Sequence, residues 1–229
     1  MKIHRFIGNF DLTQQNLLIK DSDLTKQLRS VLKLHTGEKI ILSNGLGQEA
    51  LCEVGGYGTD SVSVNVLEQL ENSAEPTSHV ILYCAILKRE NFELVVQKAT
   101  EVGVKEIVPV ITQRTIKLNL KQDRLQKIVK EAAEQSGRAL VPIVHAPMTL
   151  EEAFDHAAGH TINFLFDPTG TPLEKGELQG PVGVFVGPEG GWDDTEIEAA
   201  RQNKLVVMSL GKLTLRAETA AVIISYLFA

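Results

Sequence analysis

Between Ser61 and Leu67 the chain alternates, with Val62, Val64 and Val66 on one side and Ser61, Ser63 and Asn65 on the other. That is the period of a half-buried strand. Shorter runs precede it. Ile3 to Ile7, Lys39 to Leu42 and Gln48 to Val54 read as strands, with Asn44-Gly45 as a turn and Gly55-Gly56-Tyr57-Gly58 as a break. Leu24, Leu28, Val31 and Leu32 recur at helical spacing behind the N-cap candidates Asp21-Ser22-Asp23. The first 70 or so residues thus predict a compact β-rich barrel. Glu71 to Ser78 is polar and contains Pro76, the signature of a linker, so the expected domains are 1–72 and 73–229.

Beyond the linker the pattern changes to strands alternating with helices. His79–Leu87, Ile107–Ile111, Ile143–Val144, Ile162–Phe166, Val182–Val186 and Leu205–Leu210 read as strands. Glu90–Val102, Gln122–Ala139 and Arg216–Phe228 read as helices. Thr149-Leu150-Glu151-Glu152 and Asp193-Asp194-Thr195-Glu196 have capping-box spacing and open two more. This order predicts an α/β domain with a mostly parallel sheet covered on both faces.

Composition adds little to that picture, and charge adds one point. At 43 % hydrophobic and 23 % charged, the chain of 229 residues can form a sizeable core. No apolar run reaches the roughly 18 residues of a membrane span, and Met1 to Phe10 has no signal-peptide core. A cytoplasmic protein without membrane contact is expected. The net charge of −6 weighs against a nucleic-acid partner. Its distribution does not. Residues 1–40 hold seven basic against four acidic residues, and residues 112–138 hold seven against three. Such islands bind phosphate locally or are ordinary solvated surface. Cys52 and Cys84 form no CxxC pair and are expected to be buried packing residues.

Ligands of open α/β sheets bind beyond the carboxyl ends of strands, and two such ends carry unusual loops. Val186-Gly187-Pro188-Glu189-Gly190-Gly191-Trp192 places three glycines in five residues before a capped helix. Either a loop that lets backbone approach a ligand or a tight strand-to-helix turn fits. Leu210 to Ala220 places Arg216, Glu218 and Thr219 at the start of the apolar last helix. Glu218 suits the helix dipole and Arg216 does not, so the arginine is the residue with a specific task to explain. There is no phosphate loop, no GxGxxG after the first strand of the second domain, no GxSxG and no HExxH. The pair His156 and His160 has helical spacing, but Gly159 weakens that helix, and no metal site is expected.

Gly187 to Gly191 and Leu210 to Ala220 together resemble the signature of the bacterial 16S ribosomal RNA (uracil-N3) methyltransferases, a SPOUT family. The likeness runs along the chain: Arg5-Phe6, Val31-Leu32-Lys33-Leu34, Gly37-Glu38 and Asn44-Gly45; then Gln97-Lys98-Ala99-Thr100-Glu101, Gly103-Val104, Pro109 and Arg114; then Glu131 to Ser136, Arg138 and Pro142. Departures stand at Gln27, Asn44, Leu213, Thr214 and Ala217. The resemblance implies a PUA-like RNA-binding barrel followed by a trefoil-knotted SPOUT domain, and a homodimer. The implied substrate is 16S rRNA within the 30S subunit, and the implied methyl donor is S-adenosylmethionine, with no metal. By that likeness the Phe166-Asp167 loop, Gly187, Pro188, Glu189, Gly190 and Gly191, together with Leu210, Gly211, Leu215 and Thr219, surround the cofactor. Arg5, Arg29 and Lys33 are the expected RNA contacts.

Uridine N3 holds a proton at neutral pH and must lose it to become a nucleophile. Arg216 or Arg114 could stabilise the resulting anion, with Glu218 as base or, preferably, as the group that orients Arg216. The other readings are an enzyme of this class acting on another RNA such as tRNA, and a non-catalytic RNA-binding factor. A nucleotide-dependent oxidoreductase lacks its fingerprint.

Overall fold

The computed structural model describes residues 3–72, 74–115, 120–173 and 180–229, and the chain divides into two compact units. The first contains β1 (His4–Ile7), β2 (Asn16–Ile19), α1 (Ser22–Lys26), β3 (Lys39–Ser43), β4 (Glu49–Tyr57) and β5 (Val62–Leu70). They form one five-stranded sheet in the order β1-β3-β4-β5-β2. The β1–β3 pair is parallel and the others are antiparallel. The alternation in β5 packs Val62 and Val64 against Phe6, Leu28, Ile40, Leu42 and Cys52 in a single core. Burial there pushes the Cys52 thiol up to about 11.

Three expectations for this unit need correction. Gly55 and Gly56 do not end β4. The strand runs on to Tyr57, and its register with β5 shifts between Val54 and Gly56; the glycines absorb an irregularity in the ladder rather than a turn. Val31 is exposed at 68 % although its spacing matches Leu24 and Leu28, both buried. The cause is a π turn over Gln27–Val31, closed by the Leu32 amide on the Gln27 carbonyl at 2.9 Å. The extra residue in that turn rotates Val31 off the buried face. Finally, residues 133–141 group with this unit, not with the second. The Glu134 carboxylate accepts from the Ile7 amide at 2.7 Å, Gly47 donates to Ala139 at 3.1 Å, and Val141 donates to Gly45 at 3.0 Å. Ser73, inside the expected linker, lies outside the described residues, as do residues 116–119 of the second basic island.

The second unit, residues 76–132 and 142–229, runs β6 (His79–Ala85), α2 (Arg89–Val102), β7 (Glu106–Ile111), α3 (Gln122–Ser136, whose residues from 133 on group with the first unit), β8 (Ile143–Val144), β9 (Met148–Thr149), α4 (Leu150–Ala157), β10 (Ile162–Pro172), β11 (Pro181–Val186), α5 (Asp194–Gln202), β12 (Val206–Ser209) and α6 (Ala217–Phe228). Its sheet follows the order β12-β10-β11-β6-β7-β8, with β9 also on β7, and every pair is parallel. Both anticipated capping boxes form, Thr149 with Glu152 and Asp193 with Glu196. Helix α3 stops three residues short of Ala139, because Gly137 adopts φ +87° and turns the chain out of the helix. One face of the sheet packs Tyr83, Leu165 and Phe185 under Phe154, Trp192 and Ile197. Tyr83 and Phe185 stack with ring centroids 4.2 Å apart. On α6, Ala217, Ala221 and Ile224 are buried, while α6 packs on α2, β6 and β11.

Candidate functional site

The carboxyl ends of β11 and β12, the irregular middle of β10 and the β6–α2 junction open into a cavity of about 670 Å³ within the second unit. Three loops build most of its wall: Phe166-Asp167-Pro168 in the irregular stretch of β10, Gly187 to Trp192 after β11, and Ser209 to Arg216 after β12. Lys88 and Asn91 close it from the β6–α2 junction. Parallel strands all end on the same side, which is why segments so far apart in sequence meet here.

Trp192 is the hinge between two of these loops. Its ring is buried at 4 % exposure, and its Nε1 donates to the Phe166 carbonyl at 3.0 Å. Gly187 lies directly against it. A Cβ on Gly187 would stand 3.0 Å from the indole, closer than ordinary packing allows. At Gly190 a Cβ would meet Arg114 at 3.4 Å, an ordinary contact. Of the loop's three glycines only Gly191 has positive φ, at +70°, where the Gly191 amide closes a turn onto the Pro188 carbonyl at 2.9 Å. Glu189 accepts from the Lys88 amide at 3.2 Å and ties the loop to the start of α2. In the third loop Gly211, at φ +121°, donates to Ser209 Oγ at 3.2 Å.

The polar groups of α6 face this cavity unequally. Arg216 is the N-cap residue of the helix, and its side chain is 86 % exposed. Glu218, in the first turn, is only 12 % exposed, not the solvated carboxylate that a first-turn glutamate suggests. Its Oε1 stands 4.0 Å from Arg216 Nη1. Its Oε2 is buried without a hydrogen-bond partner. A carboxylate oxygen held that way costs on the order of 1–3 kcal/mol or more unless a donor reaches it. The cavity therefore calls for a ligand with N–H or O–H groups near Glu218.

Of the residues anticipated from sequence, Gly187, Pro188, Glu189, Gly190, Gly191, Leu210, Gly211, Leu215, Arg216 and Glu218 line the cavity. Thr219 does not; it is exposed on the outer side of α6, while Ala220 takes its place in the wall. Arg114 is also outside the lining, and its guanidinium has a different job. It donates to the Gly190 carbonyl at 2.9 Å, the Trp192 carbonyl at 3.1 Å and the Asp193 carboxylate at 3.1 Å. Hydrogen bonds from Thr195, with the nearby Arg114 charge, hold Asp193 below the usual carboxylate range. Arg114 thus fixes the glycine loop from behind. Sequence reasoning missed Lys88, Asn91 and Ser209, although all three lie at or just beyond strand ends, where the general rule for such sheets directs attention. Cys84, at the end of β6, is buried, and that burial pushes its thiol well up.

The three expected RNA contacts also separate. Arg29 and Lys33 are exposed. Arg5 is not available to a phosphate: its guanidinium bonds Glu49 at 2.6 and 3.4 Å, and the Glu49 side chain is 2 % exposed.

Residues 73–229 match the RNA methyltransferase domain family. The chain is 30 % identical over 231 aligned positions to the ribosomal RNA small subunit methyltransferase E of Rickettsia conorii, spanning 97 % of this chain and 93 % of that protein. Its counterpart from Bacillus subtilis is 29 % identical over 213 positions, 83 % of this chain and 81 % of that one. Among solved structures, the Neisseria gonorrhoeae ribosomal RNA small subunit methyltransferase E bound to S-adenosylmethionine superposes with a TM-score of 0.89 at 28 % identity, covering 98 % of this chain and 95 % of that one. A Legionella pneumophila protein with S-adenosylmethionine bound gives 0.89 at 26 % identity, covering 100 % and 97 %.

Proposed function

This chain belongs to the RNA methyltransferase family that includes the ribosomal RNA small subunit methyltransferases E, and from that premise we propose that it methylates N3 of one uridine in 16S rRNA. The methyl donor is S-adenosylmethionine, which supplies a methyl group activated by a sulfonium centre. The observation that carries the reading is the pairing, at one cavity mouth, of a buried unpartnered carboxylate oxygen on Glu218 with an exposed guanidinium on Arg216. The donor's amine and hydroxyl groups are of the kind Glu218 Oε2 requires, and the Gly187–Trp192 and Leu210–Leu215 loops offer backbone that can approach closely.

The remaining chemistry falls to the chain. Uracil N3 gives its proton to solvent water, negative charge spreads over the two flanking carbonyls, and N3 then takes the methyl as the sulfonium carbon–sulfur bond breaks to leave a neutral thioether. Arg216 is placed to meet that charge. Glu218 Oε1, beside Arg216, orients the guanidinium, and Arg114 keeps the glycine wall in register by holding Gly190 and Trp192. Gly187→Val would force Trp192 off the Phe166 carbonyl and spread two walls of the cavity. Overpacking of this kind costs about 1–3 kcal/mol, so S-adenosylmethionine affinity is expected to fall about tenfold or more. Calorimetry on the folded variant checks this, and an unchanged Kd would remove Gly187 from the wall's critical contacts.

The finer architecture belongs to the same proposal: the first unit as a PUA-like RNA-binding barrel, the second as a trefoil-knotted SPOUT domain, and a homodimer acting in the cytoplasm on the 30S subunit. Support comes from the strand order, in which β10 lies between β11 and β12 while α6 packs back on α2, β6 and β11. Tyr226, Ile223 and Leu227 leave an exposed apolar strip on α6, suited to a second subunit. Among the described residues no helix is long and apolar enough to cross a membrane.

Transfer of labelled methyl from S-adenosylmethionine to 30S subunits and to naked 16S rRNA tests the assignment. A methyl on N3 removes the imide donor that base pairing needs, so reverse transcription should stop at one uridine. Label on a ribose or on another ring atom would overturn the N3 assignment. An absence of label in both RNAs would overturn the substrate.

A further inference from the structure

A second concentration of chemistry lies around the amino ends of β6 and β7, the far end of those strands from the cavity. His79 opens β6, Glu106 opens β7, His145 follows β8, and His156 sits in the last turn of α4. Glu106 Oε2 is 2.7 Å from His145 Nε2, and its Oε1 is 2.9 Å from His79 Nε2. The His156 ring lies edge-on to His145, with centroids 5.1 Å apart, and its Nδ1 is 2.6 Å from the Tyr83 hydroxyl. One donor atom from each of Glu106, His145 and His156 lies within 4.8 Å of the other two. The helical pair His156 and His160 considered in the sequence is therefore not the relevant one; the fold brings His156 to ligands from two other segments.

We propose that Glu106, His145 and His156 bind one divalent ion of the zinc class, with water completing the coordination. Two imidazoles and one carboxylate suit zinc, cobalt or nickel and do not suit magnesium or calcium, which prefer all-oxygen shells. Zinc–ligand bonds of about 2.0–2.2 Å place tetrahedral donors about 3.3–3.5 Å apart. The three side chains reach that spacing by shifts of about an ångström: Glu106 and His145 part slightly, and His156 moves in. Glu106 and His145 are about one-fifth exposed, so an ion has access. Outer partners are already in place. His79 holds the second oxygen of Glu106, and the Tyr83 hydroxyl, 2.6 Å from His156 Nδ1, can accept that nitrogen's proton and leave the other ring nitrogen for metal. Such contacts orient ligands in metal centres.

Bound there, the ion ties β7, the segment after β8 and α4 together. Seven-residue β6, about 23 Å long at 3.3 Å per residue, separates it from the cavity. It acts on stability, not on methyl transfer.

The test uses untagged full-length protein stripped with chelator, titrated with zinc and with cobalt by calorimetry, absorption and thermal denaturation. One ion per chain is expected, with a cobalt d–d spectrum free of thiolate charge transfer and a melting temperature raised by zinc but not by magnesium. His145→Ala and Glu106→Gln should each weaken binding at least about tenfold, and His35→Ala should not. Methyl-transfer rate should be the same in stripped and loaded protein. Should His145→Ala fail to fold, His156→Ala, on the exposed side of α4, carries the same comparison. Absence of binding at about 0.1 mM ion, undiminished binding in the ligand variants, or a thiolate signature would overturn the site.

Discussion

Arg216→Ala is expected to lower the single-turnover methylation rate by about 10²- to 10³-fold, the usual loss when one electrostatic donor is removed from a developing oxyanion. Affinity for S-adenosylmethionine should change far less. The side chain is 86 % exposed and makes no capping hydrogen bond, so little in the folded chain depends on it. A cation at a helix N-terminus opposes the macrodipole, so the position gains nothing from it as a cap. Its near neighbour Glu218 is largely buried, with Oε1 4.0 Å away, too far to satisfy the guanidinium. Arg216→Lys should recover only part of the rate, because an ammonium lacks the planar fork that can meet an imide edge. If Arg216 were merely structural, the alanine variant would melt at lower temperature and turn over normally in its folded fraction. Measuring both on one preparation separates the cases, and a normal rate at saturating RNA and cofactor would deny Arg216 a catalytic role.

How far the sequence carries depends on the range of the interaction concerned. The alternation of Val62, Val64 and Val66 and the two capping boxes are local patterns, and the structure contains them as expected. The parallel sheet follows from strand–helix alternation. Strand β2 escapes sequence reasoning because only Leu17 and Ile19 point inward, too few for a period to register. Val31 is misleading because a π turn changes the residue count per turn without leaving a compositional mark. The cavity loops are legible as glycine-rich and polar strand ends. The roles of particular charges are not, since their partners lie far along the chain: Arg114 bonds a carbonyl 76 residues away, and Glu106 meets His145 across 39. Residues 133–141 join the first unit through hydrogen bonds to β1 and the turn after β3 that no local pattern announces.

Arg5 gives the second large effect, of opposite character. Counting charges makes it a phosphate contact alongside Arg29 and Lys33. Its geometry makes it the partner of a carboxylate that is almost entirely withdrawn from water. Glu49 is 2 % exposed, accepts from Arg5 at 2.6 Å, and also accepts from Asn72 Nδ2 at 2.7 Å. Arg5→Ala leaves that charge buried with one neutral donor. Breaking a buried pair from one side typically costs about 3–5 kcal/mol; with Arg5 itself 18 % exposed, water can enter and the lower end applies. The first unit should accordingly be destabilised by about 3 kcal/mol, read as an earlier urea transition and faster amide exchange in β3 and β4. Glu49→Gln in the same chain should restore part of that stability, because a neutral amide tolerates the site better than a stranded carboxylate. RNA binding separates the two roles. Under conditions where the variant stays folded, Arg5→Ala should leave the dependence of log Kd on log salt unchanged. Arg29→Ala with Lys33→Ala should flatten it by roughly 0.7–0.9 for each phosphate no longer neutralised, without shifting the urea transition. A flattened slope for Arg5→Ala with unaltered stability would return Arg5 to the RNA surface and show that Glu49 finds its counter-charge elsewhere.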